Sequence, residues 1–491
     1  MWLTDVMMIL FAGAMVSLMV DMGKRFYGGR RQFISGAVAI AATAVSLAIV
    51  LAEWFAETAS TTEISPASSS FATLFVVDSF TLFIIVTELS IGLVIAYFST
   101  VYLTPRDNSG PFFALLLIML LSLTGVSSAG DFLSLFLFWE GMSISAYGLV
   151  SFRKKPGIAL EASIKYFFLA GVGSLLSLYG ISVVYSITGS LHLSSISQAA
   201  FTTSQSGLFG LLMLFIGFGV EAAIVPLHTW LPDIYSAAPA PVAALIAGDV
   251  TGIAVFVLVK IVQPLSIPGG QPIGEYLRAG MFPLIILSVA TMLLGNLSAL
   301  MQTNLRRMLG FSTIAQTGYM LAAISTFSIP GLIAVVFNIW NHGLLKSSFF
   351  LNIGRRDGDY SLTELKNLSL SGNGGRLQSV MYTASSLGMT GSPPFGLFWS
   401  EILIVQSLLL MSDITFTVLA IIVVSNIVLS IGYYFRIINS VVSGRSPEAA
   451  GPRARMREMA APLALLALSI ATGIIPGLFI GRIALLGSVF P

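Results

Sequence analysis

GVEAAIVPLHTWLPDIYSAAPAPVAALIAGDV, residues 219 to 250, is the stretch whose reading decides the fold. It is apolar enough for a bilayer, yet Pro226, Pro232, Pro239 and Pro241 interrupt it, and Glu221, His228, Asp233 and Asp249 are spread through it. Proline removes a backbone donor and breaks a helix. In hydrocarbon the carbonyls so freed must be satisfied by protein or by a water-lined cavity. A broken membrane helix with acids at the break is where transporters build their sites. A second stretch, GMTGSPPFGLFWSE at 388 to 401, has the same character, with Pro393 and Pro394 at its break and Glu401 after it.

Working outward, the 491 residues are 56% hydrophobic and only 9% charged, with mean hydropathy +0.91. No soluble core needs that composition. The apolar runs are continuous over about 20 residues, which indicates helices; barrel strands alternate over about ten. The chain therefore reads as an all-α polytopic membrane protein with about fourteen spans. They lie near 3–20, 33–52, 76–100, 111–128, 131–152, 163–187, 208–225, 239–263, 281–302, 308–327, 331–353, 377–411, 414–440 and 460–486.

Leu3 to Val20 is flanked by Asp5 and Asp21 rather than by a basic leader, so it reads as a retained helix. Basic residues collect on the cytoplasmic side of membrane proteins. Groups such as Lys24, Arg25, Arg306, Arg307, Arg355 and Arg356 fall there when both termini lie outside, with the boundaries around the broken helices fitting least well. The Ser/Thr-rich stretch 57–70 then lies outside. The two breaks are about five spans apart, the spacing of two inverted five-helix repeats. That divides the chain into an N-terminal three-helix region at 1–105, half-channels at 106–265 and 266–442, and a C-terminal helix at 443–491.

A net charge of +2 gives no reason to expect nucleic acid. With no cysteine, disulfides, thiolate-held iron–sulfur clusters and attached haem are excluded. No nucleotide loop, dinucleotide fingerprint or metal-ligand motif appears. Any redox chemistry belongs to other subunits.

A charged group inside the bilayer costs a few kcal/mol, about 2.5 to 3.5 at a helix centre, so each one asks for a reason. Glu88 and Lys260 best fit a structural reading, as members of ion pairs or groups in the headgroup region. Glu140, Glu221, Asp249, His342, Lys346 and Glu401, with Lys165 and His228 nearer span ends, recur in successive spans as a proton relay would require. His342 and Lys346, four apart, share one helix face. They suit either proton exchange or a structural polar pocket.

Several segments then carry a resemblance: DFLSLFLFWEGMSISAYGLVSF, EASIKYFFLAGVGSLLSLYGISVVYSITGS, VPLHTWLPDIYSAAPAPVAALIAG, LRRMLGFSTIAQTGYML, NHGLLKSSFFLNIG and TGSPPFGLFWSEILI. Over roughly residues 75 to 440 the chain resembles the antiporter-like proton-channel subunits of respiratory complex I, Mrp sodium/proton antiporters and membrane-bound hydrogenases. EASIKYF and PDIY-x-x-APAPV are closest to the N-type subunit of complex I. The resemblance implies fourteen helices, two inverted half-channels and a central hydrophilic axis. It also implies roles for Glu140 on the fifth helix, Lys165 on the sixth, His342 and Lys346 on the eleventh and Glu401 on the twelfth. Two positions depart from it: Glu221 stands where a lysine is usual, and Thr251 or Gly252 replaces the eighth-helix lysine, with Asp249 close by. Facing Glu140, Glu221 would make a two-carboxylate site that shares a proton, binds Na+, takes Lys165 between its carboxylates, or does not conduct.

The function so implied is translocation of protons or Na+ in a redox complex of the cytoplasmic or inner membrane of a bacterium or archaeon. Iron–sulfur, flavin or nickel–iron centres would lie in partner membrane-complex subunits, none in this chain. A subunit of an Mrp-type antiporter and a structural subunit with a non-conducting channel are the alternatives.

Overall fold

The computed structural model describes residues 2–23, 31–56, 74–104, 107–152, 157–266, 275–354, 363–368, 375–443 and 456–484. The stretch 57–70 and most of the basic loop residues lie outside them. Helices account for nearly all the regular structure, and only isolated bridges such as Phe75 to Ala129 and Asp131 to His192 pair extended backbone.

In chain order the longer helices are α1 (Trp2–Met22), α2 (Arg31–Phe55), α3 (Ser79–Tyr102), α4 (Ser109–Ser128), α5 (Phe132–Val150), α6 (Ile158–Thr188) and α7 (Gln205–Gly219). After the first break come α8 (Trp230–Ala237) and α9 (Ala240–Leu265). Then follow α10 (Glu275–Met301), α11 (Leu305–Ile324), α12 (Ile329–Ile353), α13 (Gly375–Met389), α14 (Gly396–Leu409), α15 (Ile414–Ser443), α16 (Met456–Ile474) and α17 (Pro476–Ala484). Among the described residues, ten helices are long and apolar enough to cross a membrane, and α7 and α14 are shorter apolar helices.

The helix starts are set locally by side chains that take up otherwise free N-terminal amides. Asp78 accepts from the Thr81 amide (2.8 Å) at α3, and Asp131 from those of Leu133 and Ser134 (both 2.8 Å) at α5. Asn304 accepts from Arg306 (3.0 Å) and Arg307 (3.2 Å) at α11. Ser328 does the same for Gly331 at α12, where Pro330 occupies the first turn, in which its missing N–H costs no bond.

Apolar residues surround α9 and nearly all of α12, both of which are buried along their apolar length. α3 and α4 pack beside them, while α1, α2, α6, α10 and α15 keep many apolar side chains on the outside. A face of that kind is soluble only in lipid.

The breaks differ in detail from the sequence reading. The span expected at 208–225 ends as a helix at Gly219, before any proline. Pro232 lies in the first turn of α8 and interrupts nothing, and Pro239 and Pro241 flank the start of α9. The span expected at 377–411 is two helices, α13 and α14, with Pro393 and Pro394 between them. The last expected span begins four residues earlier, at Met456, and divides between Ile474 and Pro476. One feature has no sequence signature: Ile246–Val250 is a π-helical turn inside α9, which places Asp249 in it. Such turns are rare and concentrate at functional sites.

Candidate functional site: a buried polar axis

At the first break the backbone is re-satisfied by protein. The Trp230 indole donates to the Val220 carbonyl (2.8 Å), the Val225 amide donates to Thr291 Oγ1 (3.2 Å), and the Ile224 amide returns to the Gly219 carbonyl (3.0 Å). Ala223 takes the left-handed region, φ 56°. Glu221 lies in this turn, fully buried, and accepts from the Ser143 hydroxyl of α5 (2.5 Å). The buried Tyr166 hydroxyl lies beside Glu221, and no bond of 3.5 Å or less joins it to the second carboxyl oxygen.

Glu140, one turn before Ser143 on α5, is only half-buried and accepts from Ser174 of α6 (2.5 Å). The two carboxyl groups lie within charge range of each other, but each has its own serine and no hydrogen bond joins them. Lys165 does not sit between them, contrary to one of the expected arrangements. It is exposed, with Nζ 2.8 Å from Glu161 and 3.4 Å from Asp233. The reason is placement: Lys165 is on the second turn of α6, where a long side chain reaches the polar end of the helix. Asp233 also holds Arg307 of α11 at 2.5 Å, so one carboxylate ties α8 to both α6 and α11. His228 is buried between the break and α8, with Nδ1 unpartnered.

The second half holds two polar clusters, both anchored on α11. On α12, Asn338, His342 and Lys346 fall at four-residue spacing on one face, all buried. Lys346 does not pair with His342. Its ammonium donates to the Leu309 carbonyl (2.8 Å) and makes a short contact with the Ser312 hydroxyl, both on α11. Tyr434 of α15 donates to the same Ser312 oxygen (3.0 Å). One turn further along α11, Gln316 donates to Glu401 Oε1 (3.1 Å) and accepts weakly from Asn338 (3.5 Å). Thus α11 presents one polar face to both Lys346 and Glu401, which residue types alone did not reveal. The useful signal was there: Ser312, Gln316 and Tyr319 recur at helical spacing in an otherwise apolar helix.

Glu401 is buried, and its second oxygen presses on Gly391 in the break between α13 and α14. Gly391 has φ 65°, and a side chain there would collide with that carboxyl, so both backbone and space require glycine. Glu401 also borders an open, mainly apolar groove of about 600 Å³ between α14 and α15.

Asp249 and His342 flank the crossing of α9 and α12. Gly248 and Gly343 let these backbones approach so closely that a Cβ on Gly343 would lie 2.7 Å from the Gly248 carbonyl. Each of the two ionisable residues is one position from that contact. Both Asp249 carboxyl oxygens and His342 Nε2 lack hydrogen-bond partners among the described residues. No group of three or more His, Cys, Asp or Glu that could hold a metal occurs among the described residues.

Residues 129–430 match the transmembrane family described as NADH:quinone oxidoreductase/Mrp antiporter. NADH-quinone oxidoreductase subunit N 2 of Sorangium cellulosum is 30% identical over 354 residues, covering 70% of this chain and 69% of that one. The solved structure of an archaeal respiratory membrane complex, the membrane-bound sulfane sulfur reductase, contains a chain of the same fold. It matches with TM-score 0.85 and 26% identity, over 98% of this chain and 97% of that one. A chain of the Mrp complex from Dietzia sp. shares the fold, with TM-score 0.83 and 21% identity, over 98% of this chain and 96% of that one. A polytopic helical chain with two broken helices and a buried row of ionisable groups, this protein belongs to the NADH:quinone oxidoreductase/Mrp antiporter transmembrane family of antiporter-like subunits of membrane complexes.

Proposed function

We propose that this chain translocates protons within a membrane-bound redox complex whose redox centres are held by partner subunits. The single observation that carries this reading is one buried face of α11, on which Ser312 holds Lys346 and, one turn on, Gln316 holds Glu401, in the middle of a lipid-facing bundle. Titratable groups joined by hydroxyl and amide groups are costly in hydrocarbon, and proton or ion movement is what they can supply there.

Counting α7 with α8, α13 with α14, and α16 with α17 as single crossings gives fourteen spans in two half-channel repeats. With both termini outside, the basic loop groups other than Arg278 then fall on the cytoplasmic face of a bacterial or archaeal membrane, which supports this topology. His342, Lys346 and Glu401 form the second half-channel. Glu221, buried on Ser143, and Glu140, half-buried on Ser174, form an altered first one. Identity to the Sorangium subunit N favours a redox partner over an Mrp-type assembly.

The test is proton flux into vesicles carrying the purified complex. Lys346→Ala and Glu401→Gln should each lower flux by about 10-fold or more, the usual scale for removing a proton-transfer group. Glu221→Gln and Glu221→Lys probe the first half-channel. Wild-type flux in both would remove Glu221 from the path.

A further inference from the structure

Neither break uses the charged groups of α3 and the far half of α9. Read from sequence, Glu88 and Lys260 are structural, in ion pairs or in the headgroup region, but their charged atoms do not meet in a salt bridge. Ser127, at the end of α4, stands between them. Lys260 Nζ donates to the Ser127 carbonyl (2.5 Å), and the Ser127 hydroxyl donates to Glu88 Oε1 (2.5 Å).

The chain of groups extends in both directions. Toward the membrane edge, Asp78 lies within charge range of Lys260. It is half-buried at the start of α3 and accepts from the Thr81 amide (2.8 Å) and Gln263 Nε2 (2.7 Å). Toward the interior, Asp249 lies within charge range of Glu88. Glu88, Asp249 and Lys260 are all more than nine-tenths buried. Glu88 Oε2 and both Asp249 oxygens have no hydrogen-bond partner among the described residues. A carboxyl in that state can take up or release a proton without breaking an existing bond.

The spacing fits a path. Asp78 and Glu88 are ten residues apart on α3, about 15 Å along a helix. Asp249 and Lys260 are eleven apart on α9, about 16 Å. Either distance is half of a hydrocarbon layer about 30 Å thick. The inner end, Asp249, is next to Gly248, where α9 touches Gly343 of α12, the neighbour of His342.

We propose that Asp78, Lys260, Ser127, Glu88 and Asp249 form a proton path from the membrane edge at the start of α3 to the α9–α12 crossing. It supplies the polar axis from a side that neither half-channel reaches. For the Lys260 step the ammonium turns from the Ser127 carbonyl to the Ser127 hydroxyl of the same residue: an N–H bond breaks as an O–H bond forms at Ser127 Oγ, whose own proton passes to Glu88. An ammonium in the row favours a proton over a metal cation as the ion carried. The path rests on the translocation reading above.

Lys260→Arg is the decisive substitution, tested in the whole complex in vesicles with a pH-sensitive dye and with assembly checked by subunit content. Arginine keeps the charge and can keep the Ser127 contact, but it cannot release a proton. The proposal expects assembled complex with flux reduced about 10-fold or more. Glu88→Gln, which retains an acceptor for Ser127, and Asp249→Asn should behave alike. Wild-type flux in Lys260→Arg and Asp249→Asn, with flux lost in Lys346→Ala, would overturn the path and leave the translocation reading standing. Wild-type flux in Lys346→Ala and Glu401→Gln as well would overturn both.

Discussion

Gly391 and Glu401 show how closely one residue can constrain another. Gly391 combines a left-handed φ with a carboxyl oxygen against its Cα. Gly391→Ala should therefore destabilise the complex by about 1–3 kcal/mol. Thermal denaturation in detergent should show a lowered midpoint, and an unchanged one would mean that the break accepts a side chain. Trp230 is the corresponding lock at the first break, since its indole donates to the Val220 carbonyl across the turn. Trp230→Phe keeps the ring stacked on Tyr166 (centroids 4.3 Å apart) but removes one of two hydrogen bonds to that carbonyl, which the Ala223 amide (3.0 Å) still reaches, at a cost of about 0.5–1.5 kcal/mol in the same measurement. At this scale the sequence made His342, Lys346 and Glu401 visible, because ionisable groups stand out in apolar spans. It did not show where Lys346 points. Spacing places a side chain on a face, whereas its partners, Leu309 and Ser312, come from another helix. Lys165 is similar: spacing alone places it by Glu161, four residues away, but its second partner, Asp233, is 68 residues away.

The elements of the bundle were legible where an apolar run ends in a capping residue, as at Asp78, Asp131 and Ser328. The breaks were legible as regions but not as boundaries. Proline marks where a helix cannot continue, while α7 stops at Gly219 because its last carbonyls find donors in the returning chain and in Trp230. The π-turn of α9 left no trace in residue types. Thr251, whose hydroxyl donates to the Ile246 and Ala247 carbonyls (both 3.3 Å), is one of the groups that support it. The crossing beside it depends on absent side chains. Gly248→Val would drive a branched side chain into Ser347 and Ile91, and overpacking of that kind costs about 1–3 kcal/mol. The expected outcome is a lowered denaturation midpoint together with reduced flux, since α9 and α12 would be pushed apart where Asp249 and His342 flank the crossing. Full flux would show that the crossing is not needed.

Across the whole molecule, two buried helices, α9 and α12, are enclosed by helices that face lipid, and the ionisable groups collect around those two. Bundle and membrane class followed from composition, because 9% charged residues in 491 leave long uninterrupted apolar runs. The connectivity of the axis did not, since it depends on hydroxyl and amide side chains of α11 that are unremarkable in a sequence. The claim that this axis moves protons is tested most directly by proton flux in vesicles carrying the assembled complex with Lys346→Ala, normalised to complex content. The account predicts flux lowered by about 10-fold or more with assembly intact. Wild-type flux from that same assembled complex would contradict it.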